Sequence, residues 1–294
     1  MSDILCIGSV LWDVIGRSAG HMRQGADVPG RITRHPGGVA FNIALTLLRF
    51  GMRPALLSVV GRDPQGDELA FACARHGMET AFIHRPDDLP TDRYMAIEGI
   101  EGLVAAIADA HSLEAAGERI LAPLHDGRLA TPDSPYAGPV ALDGNLTLAM
   151  LEEIAAGPLM RAADLRVAPA SPGKAGRLLP FLQHGRAVLY VNLEEAGILC
   201  QSRFEGADRA AEALLNRGAA RAIVTDGARA ACDAAPHGLV RTQPPEVPIT
   251  RVTGAGDTFM AAHIAAELSG SGRAAALDRA VMAAAIHVSG DTDL

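Results

Sequence analysis

Gly254-Ala255-Gly256-Asp257 is the stretch of this chain best suited to chemistry. Two glycines and an alanine make a small-residue turn, an acid follows at once, and Phe259 to Leu268 reads as a helix. A turn running into a helix start leaves several backbone N–H groups without intrahelical partners. Those donors, with the positive end of the helix dipole, suit a phosphate or a developing oxyanion. Small residues let the backbone approach that anion closely. A carboxylate aimed at the same spot gains nothing in pure anion binding, because like charges repel. It makes sense where Asp257 takes a proton from a hydroxyl while the amides hold a phosphoryl group. For the string alone, a capped helix behind a tight turn is the competing account.

Other candidates fall at comparable places. Gly37-Gly38 precedes a helix over 40–50, whose apolar residues at 40, 43, 44, 47 and 48 form one half-buried face. Asn42 lies one turn into that helix, where amide donors and its own side-chain amide could clamp sugar hydroxyls. Asp13 follows a first buried strand, where open α/β sheets bind ligands, although a turn acid would look the same. Asn192-x-x-Glu195 sits at the carboxyl end of another strand, where Asn192 could equally be a helix cap. Thr225-Asp226-Gly227 ends a further strand. Thr91 and Tyr94 start a strand pair, and Lys174 opens a helix. No G-x-x-x-x-G-K-[ST] string occurs, which disfavours a P-loop enzyme. Gly254-Ala255-Gly256 does not follow a first strand–helix unit, which disfavours a dinucleotide-binding dehydrogenase.

The elements that would position these residues alternate strand and helix, as a parallel sheet demands. Strands are expected over 3–10, 55–60, 80–83, 140–143, 165–168, 187–191 and 221–225. Helices are expected over 68–76, 147–156, from Ser171, over 208–217, 257–269 and 274–287. Residues 230–233 and 239–242 read as an antiparallel pair. The hairpin over 94–98 and 103–108, together with 14–36, makes a small projecting sheet. No linker or internal repeat marks a second domain, so residues 1–294 read as one.

The chain has 294 residues, 49% hydrophobic and 20% charged, enough for one large α/β domain. A net charge of -8 disfavours a nucleic-acid surface. Cys6, Cys73, Cys200 and Cys232 are scattered, without metal or disulfide spacing, as expected of free thiols in a reducing cytoplasm. No signal peptide or membrane-length apolar run is visible.

The string Val252 to Phe259 resembles the C-terminal motif of the ribokinase-like (PfkB) sugar and nucleoside kinases. Gly37-Gly38 with Asn42, and Gly61-x-Asp63-x-x-Gly66, are similar to the N-terminal region of that family. The resemblance implies a mostly parallel central sheet flanked by helices, with a small β-sheet lid formed by about 14–36 and 91–109. It implies that Asp257 is the base, with Gly254, Ala255 and Gly256 forming the anion hole. Asp13, Gly37, Gly38, Asn42, Tyr94 and Lys174 would meet the substrate, and Thr225, Gly227 and Asn192 the nucleotide. Glu195, with Asn192, would face the water shell of the Mg²⁺ that accompanies ATP. The lid implies a homodimer. Arg251 stands where many members carry Asp near a monovalent-cation site, which counts against potassium activation. Ala230 replaces a glycine of the nucleotide segment, and the tail Asp291 to Leu294 is short for adenine contacts. Three strings look most like pseudouridine kinases: Gly37 to Ala44, Thr91 to Ile97 with Ala105 to Asp109, and Ala168 to Lys174. Kinases for another nucleoside or a furanose sugar, or a non-catalytic ligand-binding relative, are the alternatives.

Overall fold

The computed structural model describes residues 2–23, 25, 27–100 and 102–290; the tail from Asp291 lies outside the described residues. The strands are β1 (Ile4–Ile7), β2 (Leu11–Arg17), β3 (Arg31–Gly37), β4 (Pro54–Leu57), β5 (Arg93–Gly99) and β6 (Gly102–Asp109). They continue as β7 (Pro139–Asp143), β8 (Asp164–Ala168), β9 (Val188–Asn192), β10 (Arg221–Asp226), β11 (Arg229–Ala235) and β12 (Gly238–Thr242). The helices are α1 (Val39–Arg49), α2 (Pro64–His76), α3 (His111–Ala116), α4 (Ala122–His125) and α5 (Leu148–Ala156). Then come α6 (Leu179–His184), α7 (Leu193–Cys200), α8 (Ala207–Asn216), α9 (Ala255–Leu268) and α10 (Arg273–Ser289).

The main sheet runs β12-β11-β10-β9-β8-β7-β1-β4, parallel from β10 to β4, with β11 and β12 antiparallel at one edge. Its inner strands are apolar on both faces, as a sheet covered on both sides requires. In β1, Leu5 and Ile7 join one core with Phe181 and Leu214, while Ile4 and Cys6 join the other with Phe41, Met260 and Leu277. Helices α1, α2, α9 and α10 therefore cover one face, and α5 to α8 the other. The far end of α9 is fixed by charge: Glu267 receives Arg166 and, at 2.7 Å, Arg221. Arg221 and Arg273 both pair with the fully buried Asp233.

A second, smaller sheet, β3-β2-β5-β6, is built from the segments expected to form a lid. It is pinned to α2 at two points. Trp12 Nε1 donates to the Gln65 carbonyl at 2.9 Å, with Arg34 stacked on the indole at 4.2 Å. Asp63 accepts from the amides of Gly66 and Thr91, both at 2.7 Å, and from the Thr91 hydroxyl at 2.8 Å. The Gly61-x-Asp63-x-x-Gly66 string is thus a structural clasp. A Cβ on Gly66 would come within 2.0 Å of the Gly61 carbonyl oxygen.

Several boundaries differ from expectation. Residues 80–83 are a turn, held by Ala81 N donating to Glu79 and flanked by single parallel bridges at Glu79 and His84. Asp63 caps α2 and starts it at Pro64, four residues early. Residues 172–178 form a 3-10 turn, with α6 proper after it. The short helices α3 and α4 were not apparent, because Gly117 and Pro123 break their period. Asp13, expected just past the end of the first strand, lies in the next strand, β2 of the smaller sheet.

Candidate active site

The start of α9 has the geometry its sequence suggests. Gly254 caps it at φ 83 with no side-chain cap, a left-handed conformation that glycine adopts without steric cost. Ala255 N donates to the Val252 carbonyl at 3.1 Å, so this amide is used within the turn. The amides of Gly256 and Asp257 follow in the first turn, where helices provide no acceptor.

Asp257 Oδ2 accepts from Asn42 Nδ2 at 2.8 Å, across 215 positions of sequence. Asn42 therefore holds the Asp257 carboxylate, a partnership in addition to the substrate contact expected of it. Burial pushes the Asp257 carboxyl up to about 7, against the pull of the Asn42 hydrogen bond, with Asp143, Asp13 and Glu195 raising it further. Four acids from four elements thus converge on one end of the sheet.

Asp143, at the end of β7, is the member that sequence reasoning missed. It is wholly buried and accepts from Ser9 N at 2.8 Å, Ser9 Oγ at 2.6 Å and Asn145 N at 2.8 Å. Its signal in the sequence is an acid at a strand end followed by Gly144-Asn145. Lys174 Nζ donates to Asn145 Oδ1 at 2.6 Å, and Asn145 Nδ2 donates in turn to Ser9 Oγ and Asp143, each at 3.1 Å. Lys174 is joined to the acids through that amide.

On the lid, Asp13 pairs in register with Tyr94 and His35, so the three side chains share one face. The Asp13 carboxylate lies against Gly37, where a Cβ would fall 2.1 Å from Oδ2. Burial raises Asp13 to about 6, and burial followed by the Asp13 charge raises Tyr94. Gly38, at φ 95, packs on the Ser9 backbone, and a Cβ would meet the Ser9 carbonyl oxygen at 2.5 Å.

Asn192 and Glu195 form a capping box on α7: Glu195 N donates to Asn192 Oδ1 at 2.9 Å, and Asn192 N to Glu195 Oε2 at 2.8 Å. Burial raises Glu195 to about 7. No three His, Cys, Asp or Glu among the described residues are grouped to bind a metal on their own. An open cleft of about 1030 Å³ brings Asn192, Thr225 and Gly227 together, with Ile198 and Phe204 as its apolar wall. Asp257 is outside that wall. Arg251 donates through Nε to the His287 carbonyl at 2.8 Å, so a guanidinium stands at the end of α10.

A family described as pfkB family carbohydrate kinase matches residues 1–291. The uncharacterized sugar kinase YeiI of Escherichia coli K12 is 32% identical over 179 residues, 60% of this chain and 47% of that protein. A sugar kinase of Pyrococcus horikoshii is 34% identical over 80 residues, 27% of this chain and 24% of that one. The aligned stretches thus cover less than half the length of these curated relatives. A carbohydrate kinase from Agrobacterium tumefaciens superposes with a TM-score of 0.80 at 28% identity, over 97% of this chain and 90% of that one. A ribokinase from Thermotoga maritima shares the fold, with a TM-score of 0.79 at 21% identity over 98% and 93%. Among the described residues no helix is long and apolar enough to cross a membrane.

Proposed function

The chain belongs to the pfkB family of carbohydrate kinases, and on that premise we propose that it moves the γ-phosphoryl of ATP to the primary hydroxyl of a ribosyl substrate. Pseudouridine, giving pseudouridine 5′-phosphate, is the leading acceptor. The observation that carries this reading is the Asn42–Asp257 bond. It fixes one oxygen of a carboxylate beside the first-turn amides of α9 and leaves the other for a hydroxyl. Asp257 takes the proton as the amides of Gly256 and Asp257 steady charge on the phosphoryl group. Such transfer depends mostly on positioning and electrostatics.

Asp13 and Tyr94 on the inner lid face, with Gly37 and Gly38 beneath, hold the ribose hydroxyls, and Lys174 approaches from the far side. Asn192, Thr225 and Gly227 hold the nucleotide in the open cleft. Asn192 and Glu195 would hold the water shell of Mg²⁺, which supplies countercharge to the phosphates. Arg251 at the end of α10 argues against a monovalent cation there. Four acids around the acceptor position favour an uncharged alcohol over a sugar that already carries a phosphate, because like charges repel. The outer lid face exposes Ile32 (77%), Ile107 (68%), Met95 and Ile97, an apolar patch suited to a second copy of the chain.

ADP release is to be measured with pseudouridine, uridine, adenosine, ribose and fructose. The reading expects the highest kcat/KM with pseudouridine. A clear preference for another member reassigns the acceptor, and no turnover with any of them removes the kinase assignment. Light scattering at micromolar concentration tests the dimer, which an Ile107→Asp substitution is expected to split.

A further inference from the structure

Beside the phosphoryl turn sits an imidazole that the mechanism above does not use. His287 lies near the end of α10, half-buried. Its Nε2 is 2.8 Å from the Thr253 carbonyl oxygen, and its Nδ1 is 3.2 Å from Thr258 Oγ1. A carbonyl oxygen can only accept, so Nε2 carries the proton, and in the neutral ring Nδ1 accepts from the Thr258 hydroxyl. Burial holds the imidazole below its ordinary pKa, consistent with that neutral form. The ring also packs on Gly254: a Cβ there would lie 3.3 Å from both Cε1 and Nε2.

The backbone of the same stretch clamps the approach to the turn. The His287 carbonyl accepts from Arg251 Nε. The Val288 carbonyl accepts from Thr250 N at 2.9 Å, Arg251 N at 3.3 Å and Thr250 Oγ1 at 3.1 Å. The last carbonyls of a helix lack intrahelical donors, and here the segment leading into the turn supplies them. Residues 250 and 251 are therefore held by the backbone of α10, and residues 253 and 258 by the His287 ring.

The geometry points to His287 as a positioning residue for phosphoryl transfer. It grips the turn on both sides of Gly254 and so sets where the amides of Gly256 and Asp257 point. Gly254 has the freest backbone in the segment, and an offset of about 1 Å at a reacting centre can cost roughly 100-fold in rate. The inference rests on the reading of this turn as the phosphoryl site.

The test compares binding of AMP-PNP and AMP by calorimetry, which needs no acceptor. His287→Phe keeps a ring and loses both hydrogen bonds; His287→Gln keeps an amide donor for the Thr253 carbonyl. His287→Phe is expected to weaken AMP-PNP by about 5- to 20-fold and AMP by less than about 2-fold, since only the first reaches the turn with a γ-phosphoryl group. His287→Gln is expected to return AMP-PNP to within about 3-fold of the parent. Thr258→Val, which removes only the Nδ1 partner, is expected to cost about 2- to 3-fold and serves if His287→Phe does not fold. Equal weakening of AMP-PNP and AMP, no recovery with Gln, or unchanged AMP-PNP binding in Thr258→Val and His287→Phe overturns the positioning role alone. A parent chain that binds no AMP-PNP overturns the kinase reading itself.

Discussion

Two helices in this molecule begin the same way and do opposite things with the result. Gly38 leads into α1 at φ 95 and Gly254 into α9 at φ 83, neither with a side-chain cap. At α1 two of the first three amides are consumed inside the protein: Val39 N donates to Ser9 Oγ at 2.9 Å, and Phe41 N to the Ser9 carbonyl at 3.4 Å. At α9 only Ala255 N is taken up, by its own turn. The first start is a packing joint between β1 and α1; the second faces outward with its donors available. The two meet through Asn42 and Asp257, so the joint delivers the amide that orients the acid at the open end. A glycine turn before a helix is thus evidence of free donors only when nothing else on the chain reaches them first.

The largest break in this pair is to remove the acid. Asp257→Asn keeps the shape and the bond to Asn42, and is expected to lower kcat by about 10²- to 10⁴-fold in the ADP-release assay. Near-parental turnover would mean that the open end is not the catalytic one. On the closed side, Gly38→Ala sets a Cβ 2.5 Å from a backbone oxygen in a left-handed conformation. Neither atom can yield cheaply, so a loss of about 2–4 kcal/mol in urea unfolding is expected. A loss under about 0.5 kcal/mol would show that the joint is not tight.

Acidity gives a third, smaller contrast. Asp257 must be ionised to accept a proton, and burial lifts it to about 7. kcat/KM is therefore expected to rise about tenfold per pH unit below that value and level off above it, with the midpoint belonging to the coupled acids. The sign for stability is the reverse. A carboxyl raised from 3.8 to about 7 binds more protons when folded, so raising pH through that window removes stability. Asp13 and Glu195 are shifted in the same direction. Asp257→Asn should therefore gain in melting temperature relative to the parent as pH rises from 4 to 8; a constant difference would place the acid in ordinary solvent.

The glycine strings, most strand ends and the alternation of strand and helix, residues 80–83 apart, were legible in the sequence because each is a local signal. Partnerships were not. Asn42 reads as a substrate clamp, and nothing near it in sequence announces Asp257, its hydrogen-bond partner 215 positions away. Asp143 carries a faint mark, an acid before Gly144-Asn145, but its partner Ser9 comes from the distant connection between β1 and β2. His287 carries none: it stands in an alanine-rich helix, where nothing nearby announces the turn it grips. Asn192 and Glu195 could be read as either a helix cap or an ion site, and they adopt the capping geometry because each side chain reaches the other's backbone amide.

The finest test of the contrast is the smallest substitution at the open end. Gly256 has helical backbone and nothing within 4 Å of a built Cβ, unlike Gly37, Gly38 and Gly254. Gly256→Ala should therefore leave the fold intact, and reduced backbone freedom in the unfolded chain should make it neutral or stabilising by up to about 1 kcal/mol. On the proposed reading, a methyl group at this point narrows the space beside the first-turn amides that the phosphoryl group would enter. The KM for ATP is accordingly expected to rise by about 3- to 10-fold while the KM for the alcohol changes by less than about 2-fold. The equivalent change at Gly38 damages folding first, so the two alanine variants should separate stability from nucleotide affinity. If Gly256→Ala leaves ATP binding untouched, the open amides of α9 are open only to water.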